Sequence, residues 1–188
     1  MPELVYNSPV GPLIISIHNQ KVVGIKWATV ASPKEGAEKF QLDSFANETI
    51  KQLDNYFSGK TDSLGIKVQM QGTQFQKNVW KSLMRIPLGE TRTYSDIASE
   101  IGRPKAYRAV GSACARNKIP VIIPCHRVVG RNNVTGWSGN PGAKEWLLEH
   151  ERKIQSENNF FRKTVTPTTA RIRVPITTKI ASMRSLFI

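Results

Sequence analysis

The chain has 188 residues, of which 39% are hydrophobic, and a formal net charge of +13. This length allows one large domain or two small ones, each with its own core. No apolar run approaches the ~20 residues that span a bilayer. The first residues lack a basic start and an apolar stretch, so we expect neither a membrane partner nor a secretion signal. Two cysteines without C-x-x-C spacing indicate a reducing compartment, cytoplasmic or, in a eukaryote, nuclear.

Positive charge is unevenly distributed along the chain. Residues 1–70 carry seven Lys or Arg and seven Asp or Glu, whereas residues 71–155 carry fourteen and six. Residues 156–188 add six basic side chains and one acidic side chain. A neutral segment followed by a basic one predicts a polyanionic partner, and nucleic acid is favoured over a merely solvated basic surface.

The N-terminal third predicts a small α+β unit. The runs PLIISI and VVGIKW flank HNQK, a pattern typical of an antiparallel hairpin rich in β-branched residues. A helix is expected to follow, with Ser44 as its N-cap and Gly59 just past its end. Its buried face contains Phe45, Thr49, Leu53, Tyr56 and Phe57. We expect this unit over residues 1–65, without a catalytic residue, and a linker over 66–72.

Residues 73–155 predict a helical domain. Thr73 and Gln76 have capping-box spacing at the start of one helix. Further along, a tight turn at Gly102 separates two short helices, with Pro104 opening the second helix and Asn117 at its end. This pattern is typical of a helix-turn-helix, although many helical proteins contain such a corner. The basic residues on or beside the second helix, which favour DNA binding, are Arg103, Lys105 and Arg108.

The C-terminal part predicts one more helix and a tail. The helix is expected to have Asn140 as its cap and Pro141 in its first position, and to end near residue 155. Residues 156–188 are rich in Thr, Ser and Arg and show no sustained period. This composition predicts a disordered basic tail.

The two cysteines predict different roles. Cys114 follows Ala106 and Val110 at intervals of four residues, so we expect it in the core as a small apolar side chain. Cys125 lies in IPVIIPCHRVVG and is followed directly by His126 and Arg127. A thiol needs a nearby base or cation to become the nucleophilic thiolate, and the sequence offers both.

Direct contact between Cys125 and His126 is not expected, because adjacent side chains of an extended chain point to opposite faces. A bridging water would then relay the proton. Three alternatives exist for this segment. A zinc site would need grouped ligands that the spacing of Cys and His does not supply, and a papain-like hydrolase would need a local signature that is missing. An inert buried thiol would leave His126 and Arg127 unexplained.

The segment IPCHRVV, preceded by RAVGSACARNKIPVI and followed by GWSGNPGAKEWLLEHE, resembles the O6-alkylguanine-DNA alkyltransferase family. The resemblance covers residues 72–151 closely and the N-terminal unit more loosely. It implies an α+β protein with an N-terminal ribonuclease-H-like domain, built from an antiparallel sheet and a helix. It also implies an α-rich, winged-helix-like C-terminal domain that contains the helix-turn-helix.

The resemblance also implies a reaction. An alkyl group moves from O6 of guanine, or from O4 of thymine, in double-stranded DNA to the active cysteine. The nucleotide is first flipped out of the base stack, and an SN2 displacement by the thiolate leaves a stable thioether. One molecule therefore makes one transfer. We expect a monomer that needs no cofactor and no metal.

Residue-by-residue matching to the family's motif implies four catalytic roles. Cys125 accepts the alkyl group, and His126 is its base through a water. Glu151, in LLEHE, holds the imidazole in the required tautomer, as the third member of a triad does. Asn117 links the helix-turn-helix to the active-site turn. Without the resemblance, Glu151 would be interpreted as a solvated carboxylate and Asn117 as a helix C-cap.

The same matching implies contacts to substrate and DNA. Tyr94 contacts the flipped nucleotide and donates to the leaving base, while Arg108 fills the gap in the duplex as an arginine finger. Trp137 and Ser138, in the lid GWSG, are expected around the base together with Val128; Trp137 stands where some relatives carry tyrosine. The family binds the minor groove with its recognition helix. The residues expected there are Arg103, Lys105, Ala106, Arg108, Ala109 and Gly111.

Two other functions are considered. A DNA-lesion-binding protein would flip alkylguanine without repairing it, but relatives of that kind lack the cysteine found here as Cys125. A cysteine hydrolase of small esters would turn over repeatedly and would tolerate loss of the basic residues. The mass of the protein before and after incubation with methylated DNA separates these functions.

Overall fold

The computed structural model describes residues 3–28, 43–130 and 140–164. The predicted lid and the part of the predicted tail beyond residue 164 lie outside these ranges. Within the part of the chain that is described, no helix is long and apolar enough to cross a membrane.

A three-stranded antiparallel sheet begins the fold. Its strands β1 (Glu3–Ser8), β2 (Gly11–His18) and β3 (Lys21–Trp27) lie in the order β1-β2-β3. The predicted hairpin is confirmed as β2 and β3. The sequence analysis did not predict β1, where Leu4 and Tyr6 are buried and alternate with exposed residues. So short an alternation is a weak signal until its partner strand is known.

Helix α1 (Ser44–Phe57) packs against the sheet through the face that the sequence predicts. The predicted cap is wrong by one residue, because Asp43 and not Ser44 is the N-cap. The Asp43 carboxylate accepts a hydrogen bond from the backbone amide of Ala46 at 2.7 Å. Its negative charge also suits the helix N-terminus. At the other end, Gly59 has a φ of +74° and ends the helix as predicted.

Three short helices follow: α2 (Gln74–Leu83), α3 (Tyr94–Glu100) and α4 (Tyr107–Ala115). The predicted capping box of α2 is confirmed, since the Thr73 hydroxyl accepts from the Gln76 amide and the Gln76 side chain accepts from the Thr73 amide. Helices α3 and α4 pack together as a helix-turn-helix.

The turn between α3 and α4 differs from the prediction at one point. Gly102 has a φ of +73°, which a side chain would strain although there is space for one. Pro104 does not open the second helix. That helix begins at Tyr107, after Ala106 as an N-cap without a side-chain bond. Pro104 lies within the turn, where its restricted φ is equally suitable.

The segment that contains Cys125 forms a 3-10 turn at Cys125–Arg127 and continues as strand β5 (Val128–Val129). Strand β5 pairs in parallel with strand β4 (Arg92–Thr93), immediately before α3. This pairing brings the 3-10 turn close to the start of the helix-turn-helix.

The last helix, α5 (Ala143–Thr164), differs from the prediction at both ends. Pro141 is not its first residue. The side-chain amide of Asn140, the predicted cap, donates to the carbonyl of Val10 at 3.0 Å. The prediction of disorder from residue 156 is wrong through Thr164, because α5 continues to that residue. The composition of this stretch is polar, so periodicity gave no signal for the extra turns.

The N-terminal and C-terminal parts share one core. The main cluster of buried apolar side chains includes residues from the sheet, from α1 to α4 and from the segment before the 3-10 turn. The backbone amide of Ile25 donates to the carbonyl of Lys118 at 2.8 Å, so β3 is bonded to the segment that leads to Cys125. The amide of Val22 donates to the carbonyl of Lys67 at 2.9 Å, within the predicted linker.

Candidate active site and nucleic-acid interface

Asn117 holds the loop that leads from α4 to Cys125. Its side-chain nitrogen donates to the carbonyl of Ile123 at 2.8 Å and lies 3.2 Å from the Cys125 sulfur. Its side-chain oxygen accepts from the amide of Ile119 at 2.9 Å. The side-chain amide of Asn117 is therefore bonded to both ends of the loop and to the Cys125 sulfur. Arg116, not Asn117, is the C-cap of α4.

The same loop contains a strained residue. Val121 is buried and has a φ of +72°, a left-handed conformation that is rare for a β-branched side chain. Such a conformation costs on the order of 1–3 kcal/mol and persists only where the surroundings enforce it. Here the enforcing contacts include the bonds of Asn117 and a hydrogen bond from the Ile123 amide to the Ile119 carbonyl.

Cys125 and His126 are both buried and lie in the 3-10 turn, not in an extended chain as expected. Successive side chains of a 3-10 helix are about 120° apart instead of opposite. The amide of Cys125 donates to the carbonyl of Ile123 at 2.8 Å, which sharpens the turn. The thiol and the imidazole thus diverge less than in a strand.

His126 is held by Glu151. The imidazole Nε2 lies 2.8 Å from Glu151 Oε1, and both side chains are fully buried. The imidazole Nδ1 has no hydrogen-bond partner among the residues that the structure describes. Nε2 therefore carries the proton and Nδ1 is the basic nitrogen. Burial lowers the pKa of His126, and this effect outweighs the opposing effect of Glu151. The ring is therefore neutral at pH 7.

Glu151 is surrounded by hydrogen-bond donors. Two nitrogens of Arg127 donate to its two oxygens at 2.9 Å each, and the Gly89 amide donates at 3.3 Å. The hydroxyl of Tyr56 donates to Oε1 at 2.6 Å. Burial alone would raise the pKa of Glu151, but hydrogen bonds and charges from His126 and Arg127 hold it well below its usual range. Glu151 is thus a buried carboxylate, not a solvated one.

Tyr56 and Arg127 were missed as functional residues by the sequence analysis. In the sequence, Tyr56 falls on the buried face of α1, in a unit that is expected to contain no catalytic residue. The available signal was chemical, because a buried tyrosine hydroxyl needs a partner and none lies nearby in the sequence. Arg127 was noted beside His126, but its partner lies 24 residues away.

Lys144 is a third missed residue. It is 2% exposed, and its ammonium group donates to the carbonyl of Val128 at 2.7 Å. Burial lowers the pKa of Lys144, while charge interactions with Cys125 and Cys114 act in the opposite direction. The signal was the spacing of seven residues to Glu151, which places both on the buried face of α5. Val128, one of the residues expected around the base, is fully buried, and its carbonyl is bonded to Lys144.

Tyr94, the first residue of α3, is near enough to both cysteines for their charges to act on its hydroxyl. Its half-buried ring packs on α4 at Gly111, where an added Cβ would lie 3.8 Å from the ring. Burial raises the pKa of Tyr94, and charge interactions with Cys114 and Cys125 add to this, so the hydroxyl is protonated at neutral pH. Cys114 is buried as predicted, and burial raises its pKa to about 12, which makes it a poor nucleophile.

The surface of the helix-turn-helix is basic and exposed. The Arg108 guanidinium lies 5.7 Å from the ring centre of Tyr107, and Arg103 lies 5.8 Å from that of Phe75. Tyr107, at the start of α4, is 45% exposed and was not singled out from the sequence. The remaining predicted DNA-contact residues are exposed or half-buried: Lys105, Ala106, Ala109 and Gly111.

Trp137 and Ser138, the predicted lid residues, lie outside the described residues and their roles stay predictions. Among residues 3–28, 43–130 and 140–164, no three His, Cys, Asp or Glu side chains are grouped so as to hold a metal ion.

The sequence matches two family models. Residues 2–70 match the ribonuclease-like domain of 6-O-methylguanine DNA methyltransferase, and residues 74–153 match its DNA-binding domain. A methylated-DNA–protein-cysteine methyltransferase of Methanosarcina barkeri is 44% identical over 161 residues, 83% of this chain and 97% of that protein. The constitutive protein of the same name from Bacillus subtilis is 38% identical over 152 residues, 77% of this chain and 92% of that protein.

Solved structures are similar over the same region. The O6-methylguanine methyltransferase of Mycobacterium tuberculosis has a TM-score of 0.68 at 36% identity, covering 80% of this chain and 92% of that chain. Mycobacterium tuberculosis OGT in complex with DNA has a TM-score of 0.69 at the same identity and coverage. Both domain models are matched in order, Asn117 lies at the Cys125 sulfur and Glu151 lies at His126, and this chain belongs to the 6-O-methylguanine DNA methyltransferase family.

Proposed function

We propose that this protein repairs DNA by moving an alkyl group from O6 of guanine to the sulfur of its own Cys125. The surroundings of that cysteine are the observation that carries the proposal. Asn117 donates to the sulfur, and the adjacent His126 is held in one tautomer by buried Glu151. Membership of the family supports the same reaction.

Activation of the thiol begins the reaction. His126 takes the thiol proton at Nδ1, through a water, because its Nε2 is engaged by Glu151. The lowered pKa of His126 keeps the ring neutral and able to accept a proton at pH 7. Glu151 then stabilises the imidazolium that forms, the role of the third residue in a triad.

The thiolate of Cys125 next attacks the alkyl carbon. The S–C bond forms and the C–O6 bond breaks, with its electron pair staying on the guanine oxygen. Tyr94, which is protonated at neutral pH, supplies a proton to the leaving base and recovers one from solvent. The thioether is a poor leaving group, so each molecule makes one transfer.

We further propose that α4 binds the minor groove of double-stranded DNA. Arg103 and Lys105 meet phosphates, and Arg108 enters the gap left by the flipped nucleotide. Trp137 and Ser138 cover the extruded base. Small residues allow close approach of the helix backbone to the groove: Ala106, Ala109 and Gly111. The protein acts as a monomer, in a compartment where Cys125 stays reduced, the cytoplasm or a eukaryotic nucleus.

The test mixes the protein with excess duplex that contains O6-methylguanine and measures intact mass and repaired sites per protein. We expect one added methyl group, on the peptide that contains Cys125, with Cys114 unmodified. Cys125→Ser should bind DNA without transfer, and Cys114→Ser, the matched control, should remain active. A count well above one per protein would support a hydrolase-like turnover. Tight binding with a count near zero would support a lesion-binding protein.

A further inference from the structure

Tyr56 joins the N-terminal domain to the catalytic residues. It lies in the last turn of α1 and is 1% exposed, and its hydroxyl donates to Glu151 Oε1 at 2.6 Å. The two residues are 95 positions apart in the chain. The same carboxylate oxygen accepts from His126 at 2.8 Å and from Arg127 at 2.9 Å. The hydroxyl of Tyr56 therefore bonds directly to the group that holds the catalytic base.

The ring of Tyr56 is held independently of its hydroxyl. It packs edge-on against Phe57 and His150, with ring centres 5.1 Å and 5.7 Å apart. Its carbonyl lies 2.9 Å from His150 Nε2, a second link between α1 and α5. Phenylalanine would fill the same space, so packing explains the ring but not the hydroxyl.

The hydroxyl of Tyr56 affects the basicity of His126 through Glu151. A donor to a carboxylate withdraws part of its negative charge, so the carboxylate stabilises an imidazolium less. The charged or titratable groups that act on His126 are Glu151 and Lys144 from α5 and Arg127 from its own turn. Burial raises the pKa of Tyr56 well above its usual value, so Tyr56 stays a neutral donor.

We propose that Tyr56 is a positioning residue for alkyl transfer, which orients Glu151 and weakens the attraction of that carboxylate for a proton on His126. The proposal rests on the proposed function, in which neutral His126 takes the proton of Cys125. The N-terminal domain thereby contributes a functional group to the reaction, in addition to its share of the common core.

The test is Tyr56→Phe, which removes only the hydroxyl. Single-turnover methyl transfer is measured from pH 5.5 to pH 9. Without the donor, the pKa of His126 rises and the acid limb of the rate profile moves to higher pH. On the acid limb, well below the pKa of His126, a shift of roughly half a unit lowers the rate at a given pH by up to about threefold, whereas the rate at pH 8 stays unchanged.

Tyr6→Phe is the matched control. Tyr6 also belongs to the N-terminal domain, packs on Phe57 and donates to a carboxylate, Asp54, at 2.9 Å, away from the catalytic residues. Its variant should lose stability without a shift of the rate profile. If Tyr56→Phe also lowers the melting temperature but leaves the pH profile of the transfer rate unchanged, the role of Tyr56 is structural and the proposal is wrong.

A second measurement does not depend on methyl transfer. NMR titration of the His126 ring should give a higher pKa in Tyr56→Phe and an unchanged pKa in Tyr6→Phe. The protein can also be produced with fluorinated tyrosine in place of tyrosine, which is a stronger donor and should shift the His126 pKa downward. This measurement still tests the proposal if Tyr56→Phe prevents folding. A His126 pKa that moves in neither case overturns the proposal. If the His126 pKa shifts as expected but no methyl group is transferred, only the proposed function is contradicted.

Discussion

Replacing Glu151 by glutamine tests how far the fold depends on one buried carboxylate. Five hydrogen bonds reach its two oxygens, from His126, Tyr56, Gly89 and twice from Arg127. Glutamine keeps the shape but removes the charge. The guanidinium of Arg127, in a side chain only 11% exposed, then loses its counter-ion.

The expected loss of stability is large. Removing one partner of a buried ion pair costs about 3–5 kcal/mol, because the other charge stays buried and unpaired. For a chain of this size the melting temperature should fall by roughly 6–20 °C. Glu149→Gln is the control on the same helix, since Glu149 is 59% exposed and pairs with Lys153 at 3.6 Å. That variant should change stability by less than about 0.5 kcal/mol.

The pH dependence gives a second check. The folded-state pKa of His126 is depressed, so neutral His126 contributes stability above its unfolded pKa of about 6.5, and this is lost as the pH falls. Without Glu151 the imidazolium is less stable and the pKa falls further. Urea unfolding should therefore show the gap between the two proteins widening from pH 7 to pH 5. A gap below about 1 kcal/mol at pH 7, or one that narrows with acid, would refute the reasoning.

Three further outcomes are expected. Arg108→Ala should reduce transfer from duplex DNA more than transfer from the free alkylated base, and an equal loss on both substrates would contradict a role in flipping. Residues 165–188 carry four basic and no acidic side chains, so their removal should weaken DNA binding at low salt and make the affinity depend less steeply on salt concentration. Transfer should be preserved, and its loss would contradict a tail outside the catalytic fold. Asn117→Ala removes three hydrogen bonds and should lower the free energy of unfolding by roughly 2–3 kcal/mol. It should also slow methyl transfer, and an unchanged rate would contradict the role of Asn117 at the Cys125 sulfur.

Much of this protein follows from local patterns in its sequence. The β-branched runs of β2 and β3 and the capping box of Thr73 and Gln76 predict their elements, because the signal lies within a few residues. The glycine at position 102 likewise marks the turn of the helix-turn-helix. The motif around Cys125 identifies the family, and its resemblance implied the partnership of His126 and Glu151 that the structure contains.

Other features were decided only by the tertiary structure. Strand β1 depends on a partner strand, and the start of α4 at Tyr107, not at Pro104, depends on how the turn packs against α3. Helix α5 continues through Thr164 although its last turns are polar. Local propensity is weak at such points, and contacts with the rest of the chain outweigh it.

The catalytic surroundings show the same division most clearly. Tyr56 and Lys144 look like core and surface residues in the sequence, yet one bonds Glu151 and the other bonds the Val128 carbonyl, both in the interior. A hydrogen bond across 95 residues leaves no periodic trace, because it exists only when the last turn of α1 lies against α5. The sequence motif singles out Cys125 as the residue proposed to react, whereas the packing of the N-terminal domain against the last helix determines which groups surround His126.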